Sequence, residues 1–204
     1  MTEESPSEKT LSLPPLVTMG DPRLGRPSRA VPVEDIPTPG FQARLEVLAQ
    51  GLTAYEGIGI AAPQIGWFER YFAMMMEPVD DPEGATELLF WINPVITHAS
   101  EELCWAWEGC LSVPGLRGWI RRPEAIAVRG LNPQGETVSM EFRGWNARLF
   151  QHEFDHLEGM LYPYRALDPR HVVMTEQLER RDQWPDGWPT PLARDAPIGA
   201  VIPD

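Results

Sequence analysis

Between residues 39 and 57 the apolar positions recur at helical spacing. Phe41, Leu45, Leu48, Leu52 and Tyr55 lie three and four apart, on one face of an amphipathic helix. Thr38 suits its N-cap, Pro39 its first turn and Gly57 its exit. The period then shortens. Arg70 to Met76, Leu88 to Ile92, Ala125 to Arg129 and Val138 to Arg143 are short aliphatic and aromatic runs of strand type. Asp80 to Gly84 reads as a polar loop between the first two, and Gly130 to Gly135 as a hairpin turn between the last two. A second helix is expected from Asn146, a good cap, to Gly159, a good stop. Strands that follow one another, with helices before and after, predict an α+β fold rather than alternating βαβ units.

The ends of the chain lack this patterning. Residues 1–15 are acidic and rich in Ser and Pro, and are expected to form a flexible N-terminal tail. From Leu16 to Pro39 prolines recur every few residues, so this stretch reads as extended chain laid across a surface. After Asp168 a helical stretch, Arg170 to Arg181, runs into Trp184-Pro185-Asp186-Gly187-Trp188-Pro189, which cannot be regular structure. The expected layout is a tail over 1–15, a folded domain over 16–166 and a partly helical, then irregular C-terminal tail over 167–204.

Charge and cysteine content narrow the chemistry. With 17 basic against 30 acidic residues the formal charge is −13. Free DNA, bulk RNA and anionic membranes are poor main partners for such a chain, although a small local docking patch is compatible with it. Cys104 and Cys110 cannot make a disulfide framework for a chain of 204 residues. No apolar run approaches the roughly 20 residues a membrane helix needs. The opening stretch has no basic region followed by an apolar one. A cytoplasmic protein is expected.

Three segments carry chemistry. Gln151-His152-Glu153-Phe154-Asp155-His156 falls on the second expected helix. Histidines four apart put both imidazoles on one face, where they can share a metal ion, and Glu153 beside them can take a proton from water on that metal. The bland alternative is a pair of surface histidines and a solvated Glu. A third protein ligand is then needed, with a fourth position left open. Downstream stands only His171, in a charged stretch. Upstream stands Glu108-Gly109-Cys110-Leu111-Ser112, whose thiolate would complete a His₂Cys set; the other reading of Cys110 is an inert buried thiol. The third segment, Gly57-Ile58-Gly59-Ile60-Ala61-Ala62-Pro63-Gln64, has the wrong glycine spacing for a phosphate loop. Its small residues allow close approach of another backbone, and Gln64 offers an amide donor for a developing oxyanion; taken alone, such a segment is more often a plain turn with a surface glutamine.

In this order and at these separations, GIGIAAPQ, EGCLS and QHEFDH resemble the three motifs of the peptide deformylases, each matched without a gap. The resemblance runs from about Leu16 to Ala166. It implies a metal-dependent hydrolase that removes the formyl group from the N-terminal formylmethionine of new polypeptides, releasing formate. The implied fold has antiparallel sheets around a central helix carrying both histidines. Cys110, His152 and His156 match the ligands of one divalent metal, usually Fe²⁺, with Zn²⁺, Ni²⁺ or Co²⁺ also found, and water in the fourth position. Glu153 matches the general base that activates this water against the formyl carbon, and the later general acid. Gln64 and the backbone N–H of Leu111 match the oxyanion donors, and Gly59 a position whose backbone meets the substrate. The partners implied are N-formylmethionyl peptides and nascent chains.

Other residues read less sharply. Ile58 and Leu149 suit an apolar slot for the methionine side chain, or equally ordinary core. Arg117 matches a frequently basic family position and is read either as touching peptide backbone or as pairing with a surface acid. Glu108 and Asp155 either orient a ligand imidazole or form a plain salt bridge. Cys104 is expected in the core, His98 and His171 at the surface. Some family members dock on the ribosome through a basic tail helix, and the mixed, slightly acidic tail here departs from that pattern. Two other functions compete: a peptidase cutting internal bonds with the same helix motif, and a non-catalytic metal-holding fold. The thiol speaks against the first, Glu153 and Gln64 against the second.

Overall fold

In the computed structural model, which describes residues 12–78 and 84–204, helix α1 (Pro39–Ala54) forms where the apolar period is helical. Thr38 caps it, its hydroxyl accepting from the Phe41 N–H at 3.3 Å. The exit turn falls one residue before the expected glycine: Glu56 takes the left-handed conformation at φ 53°, and the Gly57 N–H donates to Leu52 O at 2.8 Å. The polar loop expected at Asp80 to Gly84, and residues 1–11 of the expected tail, lie outside the described residues except for Gly84 itself.

The four strand runs assemble, together with a short fifth strand that was not expected, into an antiparallel five-stranded sheet. It comprises β1 (Gly59–Ala61), β2 (Tyr71–Met76), β3 (Glu87–Ala99), β6 (Ala125–Leu131) and β7 (Thr137–Arg143), in the order β1-β2-β3-β6-β7. Side chains alternate across a strand. Phe72 and Met74 therefore join Trp91, Ile126, Val128 and Phe142 on one face, while Tyr71 and Ala73 join Ile60 and Ile92 on the other. Helix α1 covers the second face with Phe41, Leu45 and Leu48. Helix α2 (Gly144–Leu157) covers the first with Ala147, Leu149, Phe150 and Leu157. Burial on both faces explains why β2 reads as an unbroken apolar run.

Asn146 does not cap α2. It lies inside the first turn, where its side-chain oxygen accepts from Glu77 N–H at 2.9 Å and its amide donates to Glu77 O at 2.8 Å, tying down the exit of β2. Gly159 stops the helix as expected, at φ 74°, and the Met160 N–H closes on Asp155 O at 2.8 Å.

A second antiparallel sheet had no counterpart among the expected strands. It contains β4 (Leu103–Cys110), β5 (Val113–Pro123), β8 (Val172–Met174) and β9 (Ile202–Pro203), in the order β8-β5-β4-β9. Its inward positions include Glu108 and Arg122, both buried, which break the apolar alternation that signals a strand. The tail differs too. Of the helix expected over Arg170 to Arg181 only α3 (Thr175–Leu178) forms, because Val172–Met174 pair with Leu116–Gly118 of β5 instead. His171 is correspondingly buried at 6% exposure, edge-on to Trp105, and not at the surface. Cys104 is buried and His98 exposed, as expected. No helix among the described residues is long and apolar enough to cross a membrane.

Phe150 anchors α2 on the first sheet: it is fully buried, with edge contacts to Phe72 and Trp91 at centroid distances of 5.1 and 5.2 Å. Phe150→Ala is expected to cost about 3–5 kcal/mol, read from the urea midpoint. A loss of about 0.5 kcal/mol or less, as at a surface position, would show that the helix does not rest on this ring.

Candidate active site

The three chemical segments meet at one end of α2. Cys110 closes β4 ahead of the two-residue turn Leu111–Ser112, and His152 and His156 stand one helical turn apart. Their ligand atoms all lie within 4.8 Å of one another, with His156 Nε2 3.3 Å from Cys110 Sγ. Both histidines are buried, so they are not surface residues, and Cys110 is half-buried at the floor of a cleft of about 580 Å³. A thiol and two imidazoles converging at this range fit a tetrahedral metal site with one position left over.

Each imidazole is prepared differently. His152 Nδ1 lies 2.9 Å from Glu108 Oε2, which leaves Nε2 to face Cys110. Burial disfavours its cation, but Cys110 and Glu108 outweigh that and hold the pKa well above the usual range; a bound metal would displace this proton. His156 goes the other way. Burial, reinforced by the positive charge of His152 and Arg122, keeps it neutral.

Glu108 is the hub behind the site. It takes Arg122 in a two-point grip at 2.7 and 2.9 Å and Arg148 at 2.6 Å. Burial alone would raise its pKa, yet Arg122, His152 and Arg148 hold it well below the usual carboxylate range. Arg122 continues to Asp155 at 2.8 Å, and Asp155 is gripped again by Arg165. Glu108 thus orients an imidazole and also forms ion pairs, whereas Asp155 serves the salt bridges, its side-chain partners among the described residues being Arg122 and Arg165. Arg122 and Arg148 were absent from the expected site. Arg148 carried a signal, a charged residue one turn before His152 on the same helix face.

Glu153 is buried at 2% exposure, and its Oε2 has no hydrogen-bond partner among the described residues. Burial pushes its pKa up to about 7, with the neighbouring His152 working against the rise. A cation bound beside it would draw that value down again. Gly59 makes room for this carboxylate: a Cβ there would lie 2.7 Å from Glu153 Cδ and 2.9 Å from Leu149 Cδ1. Gln64, 1% exposed, is no surface glutamine. Its carbonyl oxygen accepts from Ala61 N–H at 2.8 Å, so its NH₂ must face the site, 3.5 Å from Cys110 Sγ and 3.3 Å from Ser112 Oγ. The extended N-terminal stretch fixes both motifs from behind: Val17 N–H donates to Gln64 O and Met19 N–H to Ser112 O, each at 2.7 Å.

Around the cleft, Leu111 sits beside Cys110, and Leu149 is buried at 6% exposure while Ile58 is 47% exposed at the rim. Arg117 also lines it and donates to Leu116 O at 2.9 Å, with no acid paired to it among the described residues. Trp107, Trp145 and Ile198 line it as well; none of them belonged to the expected site.

The sequence model of the polypeptide deformylase family matches residues 13–171. The chain belongs to that family. A peptide deformylase of Bordetella pertussis is 41% identical over 165 residues, covering 80% of this chain and 93% of the relative. One from Streptomyces avermitilis is 37% identical over 199 residues, covering 93% of this chain and 85% of the relative. Among solved structures, a class I type b peptide deformylase from Acinetobacter baumannii with Met-Ala-Ser bound superposes with a TM-score of 0.71 at 32% identity. That superposition covers 76% of this chain and 98% of the other. The fold is that of a peptide deformylase, and the chain is a metal-dependent hydrolase of that family.

The metal affinity of this deformylase should depend on Glu108. Glu108→Gln is expected to weaken Zn²⁺ binding by about 10- to 100-fold, measured by competition with a chromophoric chelator. Unchanged affinity would show that the carboxylate serves only the two arginines.

Proposed function

We propose that Cys110, His152 and His156 hold the metal of this deformylase, and that Glu153 moves the protons of formyl hydrolysis. The observation that supports this most directly is a buried, unpartnered carboxylate oxygen directly beside a convergent thiol–imidazole set. Fe²⁺ is the metal proposed, following the family resemblance; one thiolate and two imidazoles also suit Zn²⁺, Ni²⁺ and Co²⁺. When bound, it supplies a Lewis acid that acidifies water and shares the charge of a developing oxyanion.

The chain's own residues do the rest. The substrate is an N-formylmethionyl peptide, in keeping with the Met-Ala-Ser tripeptide held by the Acinetobacter relative; nascent chains in the cytoplasm are the proposed setting. Glu153 takes one proton from the attacking water as the new C–O bond forms at the formyl carbon. The Gln64 NH₂ and the Leu111 N–H donate to the carbonyl oxygen as it becomes negative. Glu153 then passes the proton to the peptide nitrogen, the C–N bond breaks, and formate and a free amine leave. Leu149, beside Gly59, and Ile58 at the rim offer apolar surface to the methionine side chain, Gly59 meets the peptide backbone, and the Arg117 guanidinium, with no acid paired to it among the described residues, can do so too.

Glu153→Ala is expected to retain metal while formate release from formyl-Met-Ala-Ser falls by about 10²–10⁴-fold. Near-normal turnover by a metal-loaded variant would remove Glu153 from this role. Cys110→Ser should lose both metal and activity. Cys104→Ser should keep both, because Cys104 is buried under Arg148 and away from the cleft. Stoichiometric metal and full activity in Cys110→Ser would overturn the ligand set.

A further inference from the structure

We infer that the C-terminal turn Pro197–Ala200 is an outer wall of the catalytic cleft, and that Ile198 on it selects for an apolar residue directly after the formylmethionine. This rests on the deformylase reading above.

Residues beyond 171 fall outside the family match, yet this turn is fixed on both sides. Before it, Ala193 and Ala196 are buried with Trp184 and Trp188 against Trp107, whose indole N–H donates to Ala193 O at 2.9 Å. After it, β9 pairs Ile202 with Trp105 of β4, and the Asp204 N–H donates to Leu103 O at 3.0 Å. Between these anchors the Ala200 N–H closes on Pro197 O at 3.2 Å, and Gly199 has a φ of 87°, as the third residue of a type II turn requires.

The turn delivers Ile198 and Gly199 to the cleft lining. Ile198 is 56% exposed. A β-branched apolar side chain has little χ1 freedom to lose, and the anchored turn has little backbone freedom to lose, so apolar contact with a ligand is gained at small entropic cost. Leu149, beside the catalytic Glu153, lies deeper and is the better wall for the methionine. A rim residue on the turn leading into β9, the edge strand of the second sheet, therefore meets the chain beyond that methionine.

The test is steady-state formate release from formyl-Met-Leu and formyl-Met-Gly by the metal-loaded enzyme. Ile198→Ser is expected to raise KM about five- to tenfold for the leucyl peptide, with kcat unchanged and with less than about a twofold change for the glycyl peptide. Ile198→Val should recover most of the difference. Leu192→Ser, 47% exposed on the same segment but outside the cleft lining, should change neither peptide. An equal change for both peptides, or no change in either, would overturn the inference while leaving the deformylase reading intact. If the wild-type enzyme released formate from neither peptide, the reading itself would fail and take this inference with it.

Discussion

The Glu108 carboxylate joins the two halves of the molecule. It stands on β4, and through Arg148 and His152 it holds the helix packed on the other sheet, while Arg122 ties it to β5. Buried charge of this kind is not a cheap source of stability, because desolvation offsets most of the attraction. What it provides is position. Arg148 is pinned further by backbone carbonyls, donating to Cys104 O at 2.8 Å and Ile120 O at 3.1 Å. His152 cannot then leave Glu108 without breaking into a set of bonds that ties α2 to β4 and β5.

The same arrangement explains which features are legible in the sequence. Helix α1 and strands β2, β3, β6 and β7 bury one or both faces with apolar residues, so pattern alone reveals them, whereas the three-residue β1 is too short to show one. Helix α2 has 11 buried residues out of 14, among them an arginine, two histidines and two acids. Its amphipathic pattern is therefore blurred, and the histidine spacing and the Gly159 stop carry the recognition instead. The second sheet is hidden for a related reason. Glu108 and Arg122 occupy inward positions where a strand is expected to show apolar residues, and they are charged because the site needs them to be.

The C-terminal segment shows the opposite failure. Its tryptophans and prolines exclude regular structure, and from that an irregular tail is the natural reading. They order the segment all the same, because Trp107 and Trp119 of the second sheet need cover on the face turned away from α2. Trp184 and Trp188 supply it, with Trp184 and Trp188 rings 4.6 Å apart and Trp107 6.2 Å from Trp184. Irregular backbone and firm packing are compatible whenever large side chains find a partner surface, and only the fold reveals that surface.

Gly59 links this packing to the proposed selection for a formyl group. On β1 its missing side chain lets the carboxylate of Glu153 and the end of Leu149 close against the strand, and a single Cβ would already collide with both. Space at the reacting end of the cleft is thus limited by contacts at van der Waals range, not by one wall alone. A methyl group is worth only about 1–3 kcal/mol in an apolar pocket that can yield. Here the walls are a helix bolted to two sheets and an edge strand whose partner β2 is buried on both faces, so they cannot yield cheaply. With Glu153 as the proposed proton carrier, rejection of acetyl and longer groups would follow from the same rigidity that keeps its carboxylate buried, and the size filter and the proton carrier would be two consequences of one close approach.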